Sequence, residues 1–257
     1  TLAQVRGERL IKPMSNCNNP EFQDSYQQRN ERLHLNCTER LAAFEMQHAT
    51  WSAFEVPLEE GSNFCPGDFY YATAVREPMD RLESHLGFQL PFDESYLELP
   101  CRYDALVAHL AASNVTEELG RECRPQLATF DNYFVRMLGG REVARLPAGG
   151  VGQQHFEKAR AVLERFDLVL PVEVLASDER AALDLNREFG WSLLPEHARL
   201  RFRWEGLKKV MRKERPEHKV RLSDEQLRYL RYLNRFDIAL HNMSTVRYRS
   251  RLAALSH

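Results

Sequence analysis

The chain has 257 residues, of which 43% are hydrophobic and 28% are charged, and this composition suits one large α/β domain spanning residues 1–257. The formal net charge is −2, so the composition does not indicate a polyanionic partner such as nucleic acid. The sequence contains no apolar run of about 18 residues and no signal-peptide pattern, so no transmembrane helix is predicted within it. Because it begins with Thr1 rather than methionine, we expect a fragment or processed form, and a membrane anchor could precede it in the full-length protein.

Five cysteines lie in the first half of the chain, in polar or turn-rich segments: Cys17, Cys37, Cys65, Cys101 and Cys123. None belongs to a C-x-x-C pair or to a cluster with zinc-ligand spacing, so no metal site is predicted. Sequons for N-glycosylation occur at Asn36, Asn114 and Asn242. Together these features favour a lumenal or secreted protein over a cytosolic one with reduced thiols. The odd number of cysteines leaves at least one thiol free or paired outside the chain.

A short strand is predicted before the first candidate catalytic residue. Phe44, Met46 and His48 alternate with other residues, a spacing typical of a strand that ends at His48. An imidazole titrates near neutral pH, so a histidine in this place could accept a proton from a hydroxyl group. The alternative is a half-buried histidine that is hydrogen-bonded for structural reasons.

The next pattern is a strand–turn–helix unit. Residues 69–75 are mostly aromatic or aliphatic and predict a buried strand, which Arg76 closes. Pro78 suits the first turn of a helix whose apolar residues recur at helical spacing: Met79, Leu82 and Leu86. Ligands of open α/β sheets bind at the carboxyl ends of the strands, where the guanidinium of Arg76 fits a phosphate and Ser84 adds a hydroxyl donor. The alternative is that Arg76 and Arg81 are ordinary surface charges.

Two helices are predicted in the middle of the chain, over residues 103–113 and 131–140. The second ends at Gly139-Gly140. Within it, Asn132 and Arg136 are four residues apart and share one face, which either contacts a ligand or is solvated. The glycine-rich segment 146–152 has no strand before it and no suitably placed lysine after it, so it is interpreted as a connector rather than a phosphate-binding loop.

An amphipathic helix over residues 155–165 precedes an apolar strand over residues 166–175, and this order predicts a parallel sheet built by crossover connections. Residues 177–190 predict another helix, with Ser177 as N-cap and Gly190 as its end. The residues of this helix that we expect to face the core are Leu183 and Leu185.

The C-terminal part combines a basic segment with a capped helix. Residues 199–221 contain ten Lys or Arg and three Glu, so they either face an anionic ligand or form a solvated basic surface. Ser223 and Gln226 have the spacing of a capping box, which predicts a last helix from Asp224 to about Met243.

Four short segments, in order along the chain, resemble motifs of one enzyme family. The spacing R-E-P-x-x-R-x-x-S over residues 76–84 resembles the 3′-phosphate-binding motif of sulfotransferases that use 3′-phosphoadenosine 5′-phosphosulfate (PAPS). Residues 48–51, His-Ala-Thr-Trp, resemble the His-Ala-Asp-Trp segment of the heparan sulfate 6-O-sulfotransferases. Residues 132–138 and 233–240 resemble that family's Asn-x-x-x-Arg-Met-Leu and Leu-Asn-x-x-Asp-x-x-Leu-Tyr segments, with His241 in place of the tyrosine.

The resemblance implies a P-loop-like sulfotransferase fold, in which a mainly parallel central sheet is flanked by helices. It implies transfer of a sulfuryl group from PAPS to a hydroxyl of a carbohydrate acceptor, a glycosaminoglycan-like and anionic glycan, without a metal. The Golgi lumen, or secretion, is the implied location. Arg76 and Ser84 would bind the 3′-phosphate of the nucleotide, and His48 would be the catalytic base. The residues implied to contact the acceptor are Trp51, Asn132 and Arg136.

The sequence also departs from that family. The loop that binds the 5′-phosphosulfate, typically P-K-x-G-[GST]-[ST], is missing, and Thr1-Leu2 would be the residues directly after it. Thr50 replaces the family's aspartate. A non-catalytic, glycan-binding relative is therefore the alternative function. A P-loop nucleotide kinase is disfavoured, because the sequence has neither a Walker A motif nor an acidic magnesium site.

Overall fold

The computed structural model describes residues 36–52, 56–85, 128–192 and 223–255. The predicted helix at 103–113, the basic segment 199–221 and the sequon at Asn114 lie outside the described residues. Within the four described ranges, no helix is both long and apolar enough to cross a membrane.

Two parallel strands form the sheet in the described part of the chain. β1 (Ala72–Val75) pairs with β2 (Leu168–Pro171). β2 is buried on both faces, since its neighbouring residues Leu168 and Val169 belong to two different hydrophobic clusters. This burial explains why the sequence of β2 is continuously apolar instead of alternating. The prediction of mixed helix and sheet, with a parallel sheet flanked by helices, is confirmed at this level.

Helices surround the two strands. In chain order they are α1 Cys37–Met46, α2 at residues 78–85, α3 Tyr133–Leu138, α4 Arg141–Ala144, α5 Gln153–Glu164, α6 Val172–Ser177, α7 Arg180–Phe189, α8 Asp224–Leu233 and α9 Arg235–Ala254. α5 packs against α3, and α9 packs against β2 and α3. α9, the longest of these helices, therefore contacts both the sheet and α3.

Two hydrophobic clusters hold these layers together. The larger cluster joins β1, α3, α5 and the loop before β1, and it includes the fully buried residues Val135 and Ala159. The smaller cluster lies between β2, α6, α7 and the C-terminal half of α9. In it, Ala181 and Ala182 are fully buried, and their small side chains allow α7 to approach its neighbours closely.

Buried polar side chains cap α3 and α9 reciprocally. Asp237, in the first turn of α9, accepts hydrogen bonds from the amides of Phe134 and Val135 at the start of α3 (both 2.9 Å). Asn132, just before α3, accepts hydrogen bonds from the amides of Phe236 and Asp237 (both 3.1 Å). Each helix thus supplies the acceptor for the other helix's unpaired N-terminal amides, which would otherwise be buried without a partner.

The predicted strand before His48 is wrong, because this part of the chain forms helix α1. Asn36 caps the helix: its side chain accepts the amide of Glu39 (2.9 Å), and the Glu39 carboxylate accepts the amide of Asn36 (2.8 Å). A disulfide between Cys37 and Cys65 then holds the first turn against the loop before β1. The capping box Asn36-x-x-Glu39 was a stronger signal than three alternating residues.

The strand predicted over residues 166–175 is wrong beyond Pro171. Proline has no N–H to donate to a strand ladder, and α6 begins directly after it. Val174 and Leu175 are buried, as predicted, but on a helix.

The helix predicted over residues 177–190 begins later than expected. Ser177 is the last residue of α6, and α7 starts at Arg180, whose amide donates to Asp178 (3.0 Å). Leu185 is buried as predicted, whereas Leu183 is 63% exposed, so the inward face was predicted only in part. Gly190 ends the helix in the left-handed conformation, as predicted.

The last predicted helix consists of two helices. The capping box is confirmed, since Gln226 donates its amide to the Ser223 hydroxyl (3.2 Å) and accepts the Ser223 amide (2.8 Å). The helix is interrupted at Asn234. The side chain of this residue donates to the carbonyls of Phe130 (2.6 Å) and Leu230 (2.9 Å). α9 then continues to Ala254, beyond the predicted end.

The strand predicted over residues 69–75 is shorter than expected, since β1 is Ala72–Val75, and its Ala72 and Ala74 are exposed. Three further predictions for the middle of the chain are confirmed. The amphipathic helix predicted at residues 155–165 is α5, which buries Phe156, Ala159 and Leu163. α3 ends at Gly139-Gly140. The segment 146–152 contains neither helix nor strand and connects α4 to α5.

We predict that Asp237→Asn changes how stability depends on pH. Burial raises the pKa of Asp237 to about 6, although the Phe134 amide, Arg81 and the Val135 amide oppose this shift. Between about pH 4 and pH 6 the unfolded chain has therefore released a proton that the folded protein retains, so this carboxyl group lowers the free energy of unfolding as pH rises. Relative to the variant, the parent should lose up to about 3 kcal/mol across this range.

Urea unfolding at pH 4, 5, 6 and 7 would measure both profiles. His85 gives the opposite trend, because burial and then Arg81 lower its pKa to about 4, but this contribution is common to the two proteins and cancels. Parallel profiles for parent and variant would contradict the prediction.

Candidate functional site

The turn after β1 lies where both parallel strands end. Pro78 is buried in the first turn of α2, as predicted, and Glu77 caps that helix, since its carboxylate accepts the amide of Asp80 (2.8 Å). Arg76 is half-buried, and no described residue forms a hydrogen bond or ion pair with its guanidinium. The turn therefore presents, at the carboxyl edge of the sheet, an arginine that has no partner among the described residues.

Glu173 and His241 support this turn from the neighbouring strand. Glu173, two residues after β2, accepts the amide of Glu77 (2.9 Å), and its other carboxylate oxygen lies 2.9 Å from Nε2 of His241. Burial raises the pKa of Glu173, but its hydrogen bonds, led by those from the Glu77 amide and His241, contribute to a pKa below the usual value. His241 is buried on α9. A glutamate near the end of the second strand can be recognised from sequence, but its histidine partner lies 68 residues further along the chain.

Ser84 and Arg81 of the phosphate-type motif have different surroundings. Ser84 is half-buried on α2, and no described residue hydrogen-bonds to its hydroxyl. Arg81 donates to the carbonyl of Thr129 (2.6 Å), and its guanidinium lies 4.7 Å from the centre of the Tyr133 ring. Arg76 and Ser84 thus have no hydrogen-bond partner among the described residues, whereas Arg81 joins α2 to the segment before α3.

His48 terminates α1 with an exposed imidazole. Its φ is 48°, in the left-handed region, and the amide of Ala49 closes the helix on the carbonyl of Phe44 (2.9 Å). This is the position at which helices usually place glycine. A side chain held there costs roughly 1–2 kcal/mol, and such strain occurs preferentially at functional positions.

Trp51 belongs to a cluster of four aromatic rings. Its ring centre lies 5.6 Å from that of Phe189 and 5.8 Å from that of Trp191. Tyr70 extends the cluster, with its ring 5.6 Å from Phe189 and its hydroxyl donating to Glu188 (2.6 Å). Partly exposed aromatic rings beside polar groups suit the apolar face and the hydroxyls of a sugar.

The predicted site residues fall into two groups. His48 and Trp51 lie near the entrance of β1, since Phe44 contacts Phe69 (5.0 Å between ring centres) and the Trp51 cluster includes Tyr70. Arg76 and Ser84 follow β1. At the rise of an extended chain, the six-residue step from Tyr70 to Arg76 spans about 20 Å.

Asn132 and Arg136 were expected to contact an acceptor, but the structure places both in the interior, 1% and 2% exposed. Arg136 pairs with the Asp131 carboxylate and donates to the carbonyls of Leu146 (2.6 Å) and Pro147 (2.9 Å). Asn132 is used by the reciprocal capping of α3 and α9. Their polar atoms are bonded within the protein, and these contacts support a structural role, whereas their predicted contact with an acceptor stays a prediction.

The disulfide and the sequons bear on the expected compartment. Cys37 and Cys65 are joined, and three cysteines lie outside the described residues: Cys17, Cys101 and Cys123. Asn36 and Asn242 are exposed, as an N-glycosylation site requires. The capping hydrogen bond of Asn36 uses its side-chain oxygen, which leaves the amide nitrogen for a glycan.

No protein-family model, curated protein or solved structure matches this chain significantly. The resemblance to sulfotransferases therefore rests on the motifs. Within residues 36–52, 56–85, 128–192 and 223–255, no group of three or more His, Cys, Asp or Glu side chains could hold a metal ion.

We predict that His48→Gly stabilises the protein by about 1 kcal/mol, because glycine adopts positive φ without strain. His48→Ala keeps the strained backbone and should leave the free energy of unfolding nearly unchanged. Denaturant unfolding of the parent and both variants at pH 7 measures the difference. Equal destabilisation by both substitutions would mean that the imidazole itself stabilises the fold.

Proposed function

We propose that this chain transfers a sulfuryl group from PAPS to a hydroxyl of a carbohydrate, glycosaminoglycan-like acceptor, on a P-loop-like sulfotransferase fold. The observation that carries the proposal is the environment of Arg76. Its guanidinium is half-buried at the carboxyl edge of two parallel strands and is bonded to no described residue. A planar, permanently charged guanidinium group at this position is suited to binding a phosphate group through two parallel N–H donors.

The proposed 3′-phosphate site consists of side chains. Arg76 would supply two parallel N–H donors and Ser84 a hydroxyl donor, both within one strand–turn–helix unit. The amide of Asp80 in the first turn of α2 already donates to Glu77, so this amide is not available to an anion. Binding should therefore depend strongly on Arg76.

His48 is the proposed general base. Its exposed imidazole can accept the proton of an acceptor hydroxyl as the oxygen attacks sulfur. PAPS, when bound, supplies the sulfuryl group at its 5′ end, away from the 3′-phosphate. The base and the arginine that binds the 3′-phosphate therefore need not be neighbours, which is compatible with the two groups of site residues.

A lumenal location, in the Golgi or after secretion, is part of the proposal. The Cys37–Cys65 disulfide supports an oxidising compartment, and the exposed Asn36 and Asn242 are compatible with glycosylation there. This compartment agrees with the carbohydrate chemistry proposed.

Non-catalytic glycan binding is the second candidate function, and the aromatic cluster favours it. The rings of Tyr70, Trp51, Phe189 and Trp191 could stack on a sugar whether or not a nucleotide is bound. This function requires neither the base nor the phosphate site.

We predict that Arg76→Ala weakens binding of adenosine 3′,5′-bisphosphate by about 2 kcal/mol, or roughly 30-fold, because a charge-assisted phosphate contact is lost. Isothermal titration calorimetry on the full-length protein measures the affinity. Arg228→Ala removes an exposed arginine from α8 and is the matched control. Equal affinity of the parent and Arg76→Ala would refute the proposed phosphate site.

We predict that His48→Ala lowers the rate of sulfuryl transfer to a heparan-type acceptor by about 10²–10⁴-fold, with nucleotide affinity nearly unchanged. Radiolabelled PAPS and the full-length protein provide the assay. His155→Gln, on α5, is the control substitution. Transfer at the parental rate by His48→Ala excludes His48 as base, and glycan binding without any transfer by the parent favours the second candidate function.

A further inference from the structure

We infer that the Cys37–Cys65 disulfide is a redox-sensitive clamp, which docks α1 on the fold when it is oxidised and releases this helix when it is reduced. The disulfide joins the first turn of α1 to the loop before β1, at a sequence separation of 28 residues. Release is local, so α1 should open while the two hydrophobic clusters stay folded. The inference concerns the fold and does not rest on the proposed sulfuryl transfer.

Hydrophobic contacts contribute little to the docking of α1. Arg40 is the one buried residue of this helix, which the structure describes over its whole length. Leu41 and Met46 are exposed, Met46 by 78%. Phe44 is half-buried, with its ring centre 5.0 Å from that of Phe69. A helix of ten residues that buries so little apolar surface is marginally stable in water without another attachment.

Arg40 is a weak substitute for such an attachment. Its Nε donates to the carbonyl of Ser62 (3.0 Å), three residues before Cys65. Burial lowers the pKa of Arg40, because a guanidinium that leaves water loses solvation of its charge. The free energy of this desolvation opposes the docking of α1 and partly offsets the hydrogen bond. The covalent link therefore supplies most of the constraint on the helix.

Cys65, at the other end of the link, lies on a well-supported part of the fold. Its amide donates to the hydroxyl of Tyr71 (2.9 Å), which in turn donates to the carbonyl of Asn63 (3.0 Å). The adjacent Phe64 belongs to the larger hydrophobic cluster and stacks on Phe166, with 5.5 Å between ring centres. These contacts do not involve α1, so the loop should keep its conformation when the disulfide is opened.

Opening the disulfide requires a dithiol reductant. A thiolate of the reductant attacks the sulfur of Cys37, the more exposed of the two cysteines, and releases Cys65 as a thiolate that takes up a proton. The second thiol of the reductant then attacks the mixed disulfide, closes a disulfide within the reductant and releases Cys37 as a thiol. The new thiol of Cys65 has an acceptor in place, because its sulfur lies 3.3 Å from the carbonyl of Ser62.

The proposed catalytic base directly follows the clamped helix. The amide of Ala49 closes the last turn on the carbonyl of Phe44 (2.9 Å), and His48 lies within this turn. Trp51 is held separately, through its ring contact with Phe189 (5.6 Å). Release of α1 would therefore free His48 from the helix but leave Trp51 in its aromatic cluster, so the redox state would change the position of the imidazole.

Amide hydrogen exchange of the full-length protein, read by mass spectrometry, tests the inference. Oxidised protein is compared with protein reduced by dithiothreitol at pH 7. After reduction the amides of α1 should exchange on the order of 10²-fold faster, as expected when a constraint that closes a loop of this length is lost. The amides of α5 should keep their protection, because this helix packs against α3 in the larger cluster. Reoxidation should restore the slow exchange of α1.

Two variants control for other effects of the reductant. Cys37→Ser/Cys65→Ser removes only this disulfide, so its α1 should exchange as fast as in the reduced parent, with no further change when dithiothreitol is added. Arg40→Ala, studied in the oxidised protein, removes the buried guanidinium but keeps the clamp, so α1 should stay protected.

Several results would overturn the inference. Equal exchange of α1 in oxidised and reduced protein would mean that non-covalent contacts dock the helix. Faster exchange of α1 and α5 alike, or a Cys37→Ser/Cys65→Ser protein that does not fold, would mean that the disulfide stabilises the whole fold. Release of α1 by Arg40→Ala alone would identify the arginine as the clamp. Because exchange is measured without a ligand, failure of the proposed function leaves the inference intact, and an overturned clamp leaves the proposed site at Arg76 in place.

Discussion

Reciprocal capping of α3 and α9 is the constraint on which the described architecture depends. Both helices begin in the interior, where an unpaired amide would cost about 1–3 kcal/mol. Asp237 and Asn132 together satisfy four such amides, each reaching across to the other helix. Asn132 adopts a φ of 47° to do so, a left-handed conformation that asparagine tolerates better than most residues. The position of one helix therefore determines that of the other.

The reciprocal capping fixes the first turn of α9, and later turns of this helix pack against the sheet. Leu240 packs in the larger cluster and Leu252 in the smaller one, on opposite sides of β2. His241 follows Leu240 directly, so the packing of α9 brings its imidazole to Glu173 and hence to the turn before α2. The candidate anion site is consequently supported by the hydrophobic core, although Arg76 itself has no partner among the described residues.

The features that sequence predicted well are local. The capping box at Ser223, the end of α7 at Gly190 and the proline in the first turn of α2 each depend on residues a few positions apart. The features it missed depend on partners far along the chain. Asn132 and Arg136 looked like ligand-binding residues because their buried partners, such as the amides of α9, could not be identified from spacing.

The two groups of candidate site residues have separate structural supports. α1, which carries His48, is attached through the Cys37–Cys65 disulfide and through Arg40, which donates to the Ser62 carbonyl (3.0 Å). Arg76 is positioned through Glu173 and α9. Reduction of the disulfide would therefore act first on α1, the helix that precedes the proposed base. Both supports end in the larger hydrophobic cluster, which contains Phe64 beside Cys65 and Leu240 beside His241, so the proposed base and the proposed anion site are anchored to one core.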